Sequence, residues 1–269
     1  MTALIIILSI LVFLAILYIW AILPSRRNHS KLKYLNGLHI AHRGLHDNDN
    51  AIPENSLLSF TQAVKNGFAI ENDIHLTKDG EVVVFHDDTI SRMCGINKKI
   101  KDLTLDEIKE LRLLNTSETI PTLKECLDIV DGKVPLLIEF KYEGNANELC
   151  EKANKILENY KGLYFVQSFH PQILFWYKKH NKKICRGQLS SAFMGEGFTK
   201  RLAGLLVFNF LSRPDFVSYD LNDKDYFPFK LVKKLGAFPV GWTFKSQKQE
   251  DTCKNDFHTF IFEDYIPEK

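Results

Sequence analysis

Between Leu38 and Phe262 the chain alternates, about eight times, between short apolar runs of strand length and longer runs with helical spacing. Few folds accommodate such a pattern. Strands separated by crossover helices lie parallel, and eight repeats over about 230 residues are enough to close the sheet into a (β/α)8 barrel. The runs read as strands are 38–41, 69–74, 82–85, 136–140, 164–168, 184–189, 216–219, 239–243 and 260–262, and the helical patterns are 56–66, 123–130, 146–160, 171–180, 226–235 and 246–255. Asn55 reads as the N-cap of the first helix, ahead of Leu57, Phe60, Ala63 and Val64 at helical spacing. A doubly wound open sheet is the competing arrangement, but it usually places a Gly-rich phosphate loop after the first strand, where this chain has His42-Arg43-Gly44. Residues 88–121 break the alternation, with a small helical pattern at 105–113, and read as an insertion after the second barrel strand.

The N-terminus departs from this pattern. Residues 3–23 carry no charge, and only Ser9 is clearly polar. Their helical length, roughly 30 Å, matches the hydrocarbon core of a bilayer. Tyr18 and Trp20 stand near its end, where interfacial aromatics belong. A secretory signal would want a charged start, a shorter apolar core and a small-residue cleavage site. Residues 1–23 are therefore expected to form an uncleaved transmembrane anchor, 24–36 a polar, basic juxtamembrane linker and 37–269 the barrel domain. Arg26, Arg27, Lys31 and Lys33 follow the span, so the positive-inside rule places the barrel on the cytoplasmic side. Five scattered cysteines, without zinc spacing, suit a reducing compartment. A net charge of +2 with no basic stripe excludes a nucleic-acid partner. The stretch 198–211 joins Lys200 and Arg201 to a long apolar run, and reads as a barrel helix or, more sharply, as a segment resting on the bilayer.

In a parallel barrel the C-terminal ends of different strands converge on one face, and the polar residues of this chain gather at such ends. Glu71 and Asp73 have i, i+2 spacing and share a face of their strand. Two carboxylates so close repel unless a cation or a shared proton separates them. Glu139, in an otherwise apolar strand, supplies a third oxygen donor, with a salt bridge to Lys141 as its alternative. His42 and His86 each end an apolar run and suit proton transfer. Arg43 is shaped for bidentate phosphate contact and Lys141 for a point-charge contact. Glu54 has a supporting role, orienting Arg43 or a histidine, or caps the helix that follows. Trp242 can pack against a glycerol or choline-like group. His46, His75, His170, His180 and His258 lack a comparable context, although His170 could line the mouth.

The ordered segments IAHRG, PENS, IENDIHLTKDGEVVVFHDDT, IPTLKE, IEFK and GWT resemble those of the glycerophosphodiester phosphodiesterases, over about residues 37–267. The resemblance implies a TIM barrel with an extra segment after the second strand, and a phosphoric diester hydrolase that releases sn-glycerol 3-phosphate and an alcohol. Position by position it implies His42 and His86 as the acid–base pair and Arg43 and Lys141 as phosphate contacts. It implies Glu71, Asp73 and Glu139 as ligands of one divalent ion, Mg²⁺, Ca²⁺ or Mn²⁺. The expected partners are a small glycerophosphodiester or a lysolipid and the membrane. Lysophospholipase D-type cleavage is the closer alternative, and a non-catalytic membrane scaffold the distant one. The chain departs from the family pattern over 190–225, and at Glu263-Asp264-Tyr265, where the family often has a Thr-Asp pair.

Overall fold

Strand pairing follows the alternation. The computed structural model describes residues 1–142 and 144–268; Lys269, the end assigned to the barrel domain, lies outside them. The strands are β1 (His39–Ala41), β2 (Ala69–Leu76), β3 (Val82–Val84), β4 (Leu136–Phe140), β5 (Tyr164–Ser168), β6 (Arg186–Ser190), β7 (Phe216–Asp220), β8 (Phe238–Phe244) and β9 (Thr259–Phe262). They run in the order β1-β9-β8-β7-β6-β5-β4-β2-β3, and β1 also pairs with β2, which closes the ring. Every pairing within the ring is parallel, whereas β3 is antiparallel to β2 and stands outside it. Strands buried on both faces need near-continuous apolar sequence, and β2 and β4 are buried along almost their whole length.

The helices are α1 (Thr2–Ile22), α2 (Leu57–Asn66), α3 (Ser91–Cys94), α4 (Leu105–Lys109), α5 (Leu123–Val130), α6 (Ala146–Leu157), α7 (Pro171–His180), α8 (Phe198–Gly204), α9 (Asn209–Ser212), α10 (Phe227–Lys234) and α11 (Gln247–Cys253). Local chemistry sets several starts. Ser56 caps α2 in a reciprocal box with Ser59, and Thr122 caps α5 with Glu125. The cap of α2 is thus Ser56, and Asn55 is free for another task. The stretch 198–211 is two short helices rather than one, because Leu206 between them has a left-handed backbone (φ 59°).

Three apolar layers hold these elements. Ile70, Ile138, Phe140, Val217 and Tyr219 face the surrounding helices. Ile40, Ala69, Leu137, Phe165, Phe216, Val240 and Ile261 fill the lower interior of the barrel. The residues after β3 build a small core of their own around Val83, Phe85, Met93, Ile108 and Ile120. Residues 24–36, expected as a linker, are folded onto the barrel. Leu32 and Leu35, in and just after a 3-10 turn (His29–Tyr34), are buried with the lower interior cluster. Asn28 donates to the Lys182 and Ile184 carbonyls at 3.2 and 3.4 Å and to Asp215 Oδ2 at 3.1 Å. A barrel needs its open lower end covered, and the nearest chain is the segment leading into β1. Leu35→Ala is therefore expected to cost about 2–5 kcal/mol, the range for emptying a buried leucine site, measured by urea unfolding.

Candidate active site

The carboxylates come together because β2 and β4 are neighbours in register. Asp73 pairs with Glu139 across the ladder, and Glu71 lies two residues earlier on the same face. Oxygens of Glu71, Asp73 and Glu139 lie within 4.8 Å of one another, and all three residues are buried. Lys141 Nζ answers part of this charge, at 2.8 Å from Asp73 Oδ1 and 2.5 Å from Glu139 Oε1. Arg43 contributes its backbone N–H to Glu71 Oε2 at 3.1 Å and sets Nε 3.6 Å from Asp73 Oδ2. Glu71 has no side-chain ion pair among the described residues. Burial, with Asp73 and Glu139 beside it, pushes the Glu71 carboxyl well up, while burial of Asp73 is outweighed by Lys141, His86 and Arg43, which hold it low. Burial also raises Glu139. The donor set fits a hard divalent cation: three buried oxygen ligands, crowded closely enough that burial and its neighbours raise the carboxyl of Glu71.

Arg43 and Asn55 reach the site through left-handed backbone, φ 57° and 53°. Such conformations cost about 1–3 kcal/mol each and need surrounding structure to hold them. The Asn55 N–H donates to the Arg43 carbonyl at 2.9 Å, the Ser59 hydroxyl donates to the same carbonyl at 3.1 Å, and Asn55 Nδ2 donates to Asp73 Oδ2 at 2.9 Å. Gly44 admits this packing, since a Cβ there would stand 2.4 Å from Ser59 Oγ. Glu54 lies behind the guanidinium and accepts from Arg43 Nη1 and from Arg92 Nη2, each at 2.7 Å. Burial opposes its charge, but Arg92, Arg43 and Asn48 overcome that and hold it low.

Both histidines have a carboxylate at Nδ1. His42 meets Glu263 Oε2 at 2.5 Å, and Lys245 meets Glu263 Oε1 at 2.8 Å. His86 meets Asp87 Oδ1 at 2.6 Å, and Arg92 Nε donates to Asp87 Oδ2 at 2.8 Å. A carboxylate at Nδ1 keeps the proton there and leaves Nε2 as the acceptor. His86 does not end a parallel barrel strand, as its place in the sequence suggested. β2 runs past the rim and β3 brings the chain back, so the Phe85 N–H bonds the Asp73 carbonyl at 2.9 Å and His86 returns to the level of the acids. Burial lowers the pKa of His86.

His42, Arg43, Glu71, His86, Glu139, Lys141 and Trp242 line one cavity of about 280 Å³, with Gln167, Phe169, Leu189 and Glu263. Asp73 is not in the lining but holds Arg43 and Lys141 from behind, and Glu54 stands outside the cavity. Gln167 Oε1 and Trp242 Nε1 are buried without a hydrogen-bond partner among the described residues. His75, set aside in the sequence, shares the Glu71–Asp73 face of β2 and pairs Nε2 with the His86 carbonyl at 3.2 Å. Asn55, Asp87, Arg92, Gln167 and Glu263 were also missed. Gln167 and Glu263 carried the same signal as Glu139 and His42, a polar residue at or after the end of an apolar strand; Arg92 carried none.

A model of the glycerophosphoryl diester phosphodiesterase family matches residues 42–257. The chain belongs to this family. Its fold is also that of a phosphodiesterase from Oleispira antarctica, solved with the product sn-glycerol-3-phosphate, at TM-score 0.70 and 25% identity over 86% of this chain and 94% of that one. Glycerophosphodiester phosphodiesterase 1 of Mus musculus is 35% identical over 179 residues, 60% of this chain and 51% of the relative. A glycerophosphodiester phosphodiesterase of Caldanaerobacter subterraneus is 36% identical over 144 residues, 49% of this chain and 57% of the relative. The chain thus spans about half the length of these two relatives.

Glu263 makes the family member's site sensitive to acid. Burial opposes its charge, but His42 and Lys245 bring its pKa down from 4.5 to about 2. A depressed carboxylate stabilises the fold fully above its unfolded pKa and loses that contribution as pH falls through the folded value. The stability gap between the native chain and Glu263→Gln should be constant above about pH 5 and shrink as pH falls towards about 2. Urea unfolding at a series of pH values measures it; a gap that widens on acidification would contradict the pairing.

Proposed function

We propose that the chain hydrolyses glycerophosphodiesters to sn-glycerol 3-phosphate and an alcohol, with a divalent metal ion and the His42/His86 pair. The observation that carries this is the convergence of two carboxylate-supported imidazoles with Glu71 and Glu139 of the buried oxygen triad on one small cavity. At about 280 Å³ it lies below the range of drug-sized pockets, which suits a phosphate with a glycerol rather than a whole lipid. Family membership and the Oleispira product complex support the substrate class. Three carboxylates, Glu71, Asp73 and Glu139, would hold the ion. Bound there, it would supply Lewis-acid neutralisation of the phosphate charge.

The remaining steps belong to protein groups. Arg43 and Lys141 hold the phosphoryl oxygens, and Trp242 offers an apolar wall and one N–H. One imidazole accepts the proton of the attacking oxygen, from water or from the glycerol 2-hydroxyl. In the second case a cyclic phosphodiester forms, and water then opens it by breaking the bond from phosphorus to the 2-oxygen. The other imidazole, protonated on both ring nitrogens, gives the Nε2 proton to the leaving alcohol as the P–O bond breaks. Glu263 and Asp87 keep the two rings in the required tautomer, and Glu54 with Arg92 keeps Arg43 aimed.

Release of glycerol 3-phosphate from glycerophosphocholine by the purified chain tests the proposal. Release should stop in EDTA and resume with divalent metal. His42→Ala and His86→Ala should each lose roughly 10²–10⁴-fold in kcat, and Glu263→Gln roughly 10–100-fold. Near-normal turnover by His86→Ala would overturn the assignment.

A second reading rests on a separate observation. An apolar groove of about 620 Å³ shares Phe169 and Trp242 with the cavity and continues past Phe193, Met194, Phe208 and Leu211. It supports lysophospholipase D-type cleavage, with an acyl chain in the groove. Turnover of lysolipid micelles without turnover of glycerophosphocholine would select this reading. We also propose residues 1–23 as a membrane anchor rather than a cleaved signal, because Ala21 and Ile22 are buried against the barrel.

A further inference from the structure

The last turn of α1 takes the place of a barrel helix. Ile22 joins the core between strands and helices, and Trp20 stacks on Phe210 with ring centroids 6.0 Å apart. Arg213 Nη1 donates to the Trp20 and Leu23 carbonyls at 2.6 and 3.1 Å, and the Ser25 N–H donates to the Pro214 carbonyl at 2.8 Å. This end of α1 therefore sits at the start of β7, on the barrel floor. One turn earlier the Tyr18 hydroxyl donates to the Leu205 carbonyl at 3.0 Å. Tyr18 is also within electrostatic reach of Tyr219 and Tyr226, at and beyond the C-terminal end of β7. The helix thus rises along the wall antiparallel to β7, from the floor towards the rim where the cavity opens.

No polar spacer separates the docked turn from the apolar run. Leu17 and Ile16, directly beyond Tyr18, are 47% and 60% exposed and continue into an exposed stretch of leucine, isoleucine, valine and phenylalanine. Such a surface is suited to lipid, and the helix carries it towards the rim side of the barrel. The rim itself carries Phe193 and Phe198 after β6, 74% and 76% exposed, and Phe227 after β7, 66% exposed. Lys200 and Arg201 stand exposed among them. Exposed aromatics flanked by cations are the composition of a surface that binds anionic lipid.

The geometry points to a barrel whose cavity mouth rests on the bilayer, held there by α1 and docked through Phe193, Phe198, Phe227, Lys200 and Arg201. Arg26, Arg27 and Lys31, read from sequence as flanking the span, belong to the floor segment at the far end of the barrel, as the Lys31 Nζ bond to the Lys183 carbonyl at 2.6 Å illustrates. The docking rests on the anchor and not on hydrolysis, so an inactive chain would dock in the same way.

The test uses the full chain in vesicles of phosphatidylcholine and phosphatidylserine carrying a doxyl-labelled lipid. With Cys94→Ser in place, the other four cysteines are buried, and an environment-sensitive dye is attached at Phe198→Cys, Phe227→Cys or, on the floor, Lys161→Cys. Quenching at 198 and 227 should exceed that at 161 by at least twofold. Lys200→Glu with Arg201→Glu should reduce the rim quenching at least twofold, which guards against a labelled chain that misfolds. Equal quenching at rim and floor, or stronger quenching at the floor, would overturn the proposal, and so would rim quenching indifferent to the two charge reversals. Loss of glycerol 3-phosphate release would not alter these readouts and would count only against the hydrolysis proposal.

Discussion

Three carboxylates buried within 4.8 Å of one another are the constraint around which the upper barrel is arranged. Like charges in a dry interior raise one another's pKa, and each needs a cation or a hydrogen-bond donor to remain ionised. The chain supplies Lys141 to Asp73 and Glu139, Arg43 to Asp73, and an amide from Asn55 to Asp73. Arg43 in turn requires Glu54, Glu54 is shared with Arg92, and Arg92 reaches Asp87 beside His86. One chain of ion pairs therefore runs from the proposed metal ligands to a proposed proton carrier. Among the described residues Glu71 is left with a backbone N–H, that of Arg43.

The barrel makes this crowding tolerable by division of labour along its axis. The lower interior is filled with apolar side chains and sealed by Leu32 and Leu35, so the charged layer stands on a rigid base. The excursion after β2 carries its own small core, which lets it deliver His86, Asp87 and Arg92 without drawing on the main core. The N-terminal chain is part of the same construction, since Leu32 and Leu35 cover the floor and the last turn of α1 packs on the wall.

Much of this was legible in the sequence. Apolar runs marked all nine strands to within a few residues, because a strand buried on both faces cannot hide its composition. His42, Glu71, Glu139 and Lys141 were readable from parity and position, because a polar residue at a buried strand end needs a partner. Asn55 was misread as a cap, since a helix start and a site residue look alike when the neighbouring Ser56 can do the capping. Arg92 gave no signal, for its partners Glu54 and Asp87 depend on how the excursion folds back. His86 was found for a partly mistaken reason, since an antiparallel return looks like another strand end. Residues 24–36 read as a linker because polar composition hides the two leucines that matter.

The sequence by itself determined the parallel barrel, the apolar N-terminal helix and the types of chemical group at the strand ends. These follow from local periodicity and burial, which each segment carries within itself. Only the tertiary structure decided which carboxylate meets which histidine, what covers the floor and where the last turn of the N-terminal helix packs. Those depend on contacts between residues far apart in the chain, such as His42 with Glu263 and Trp20 with Arg213, and no local pattern specifies a partner two hundred residues away.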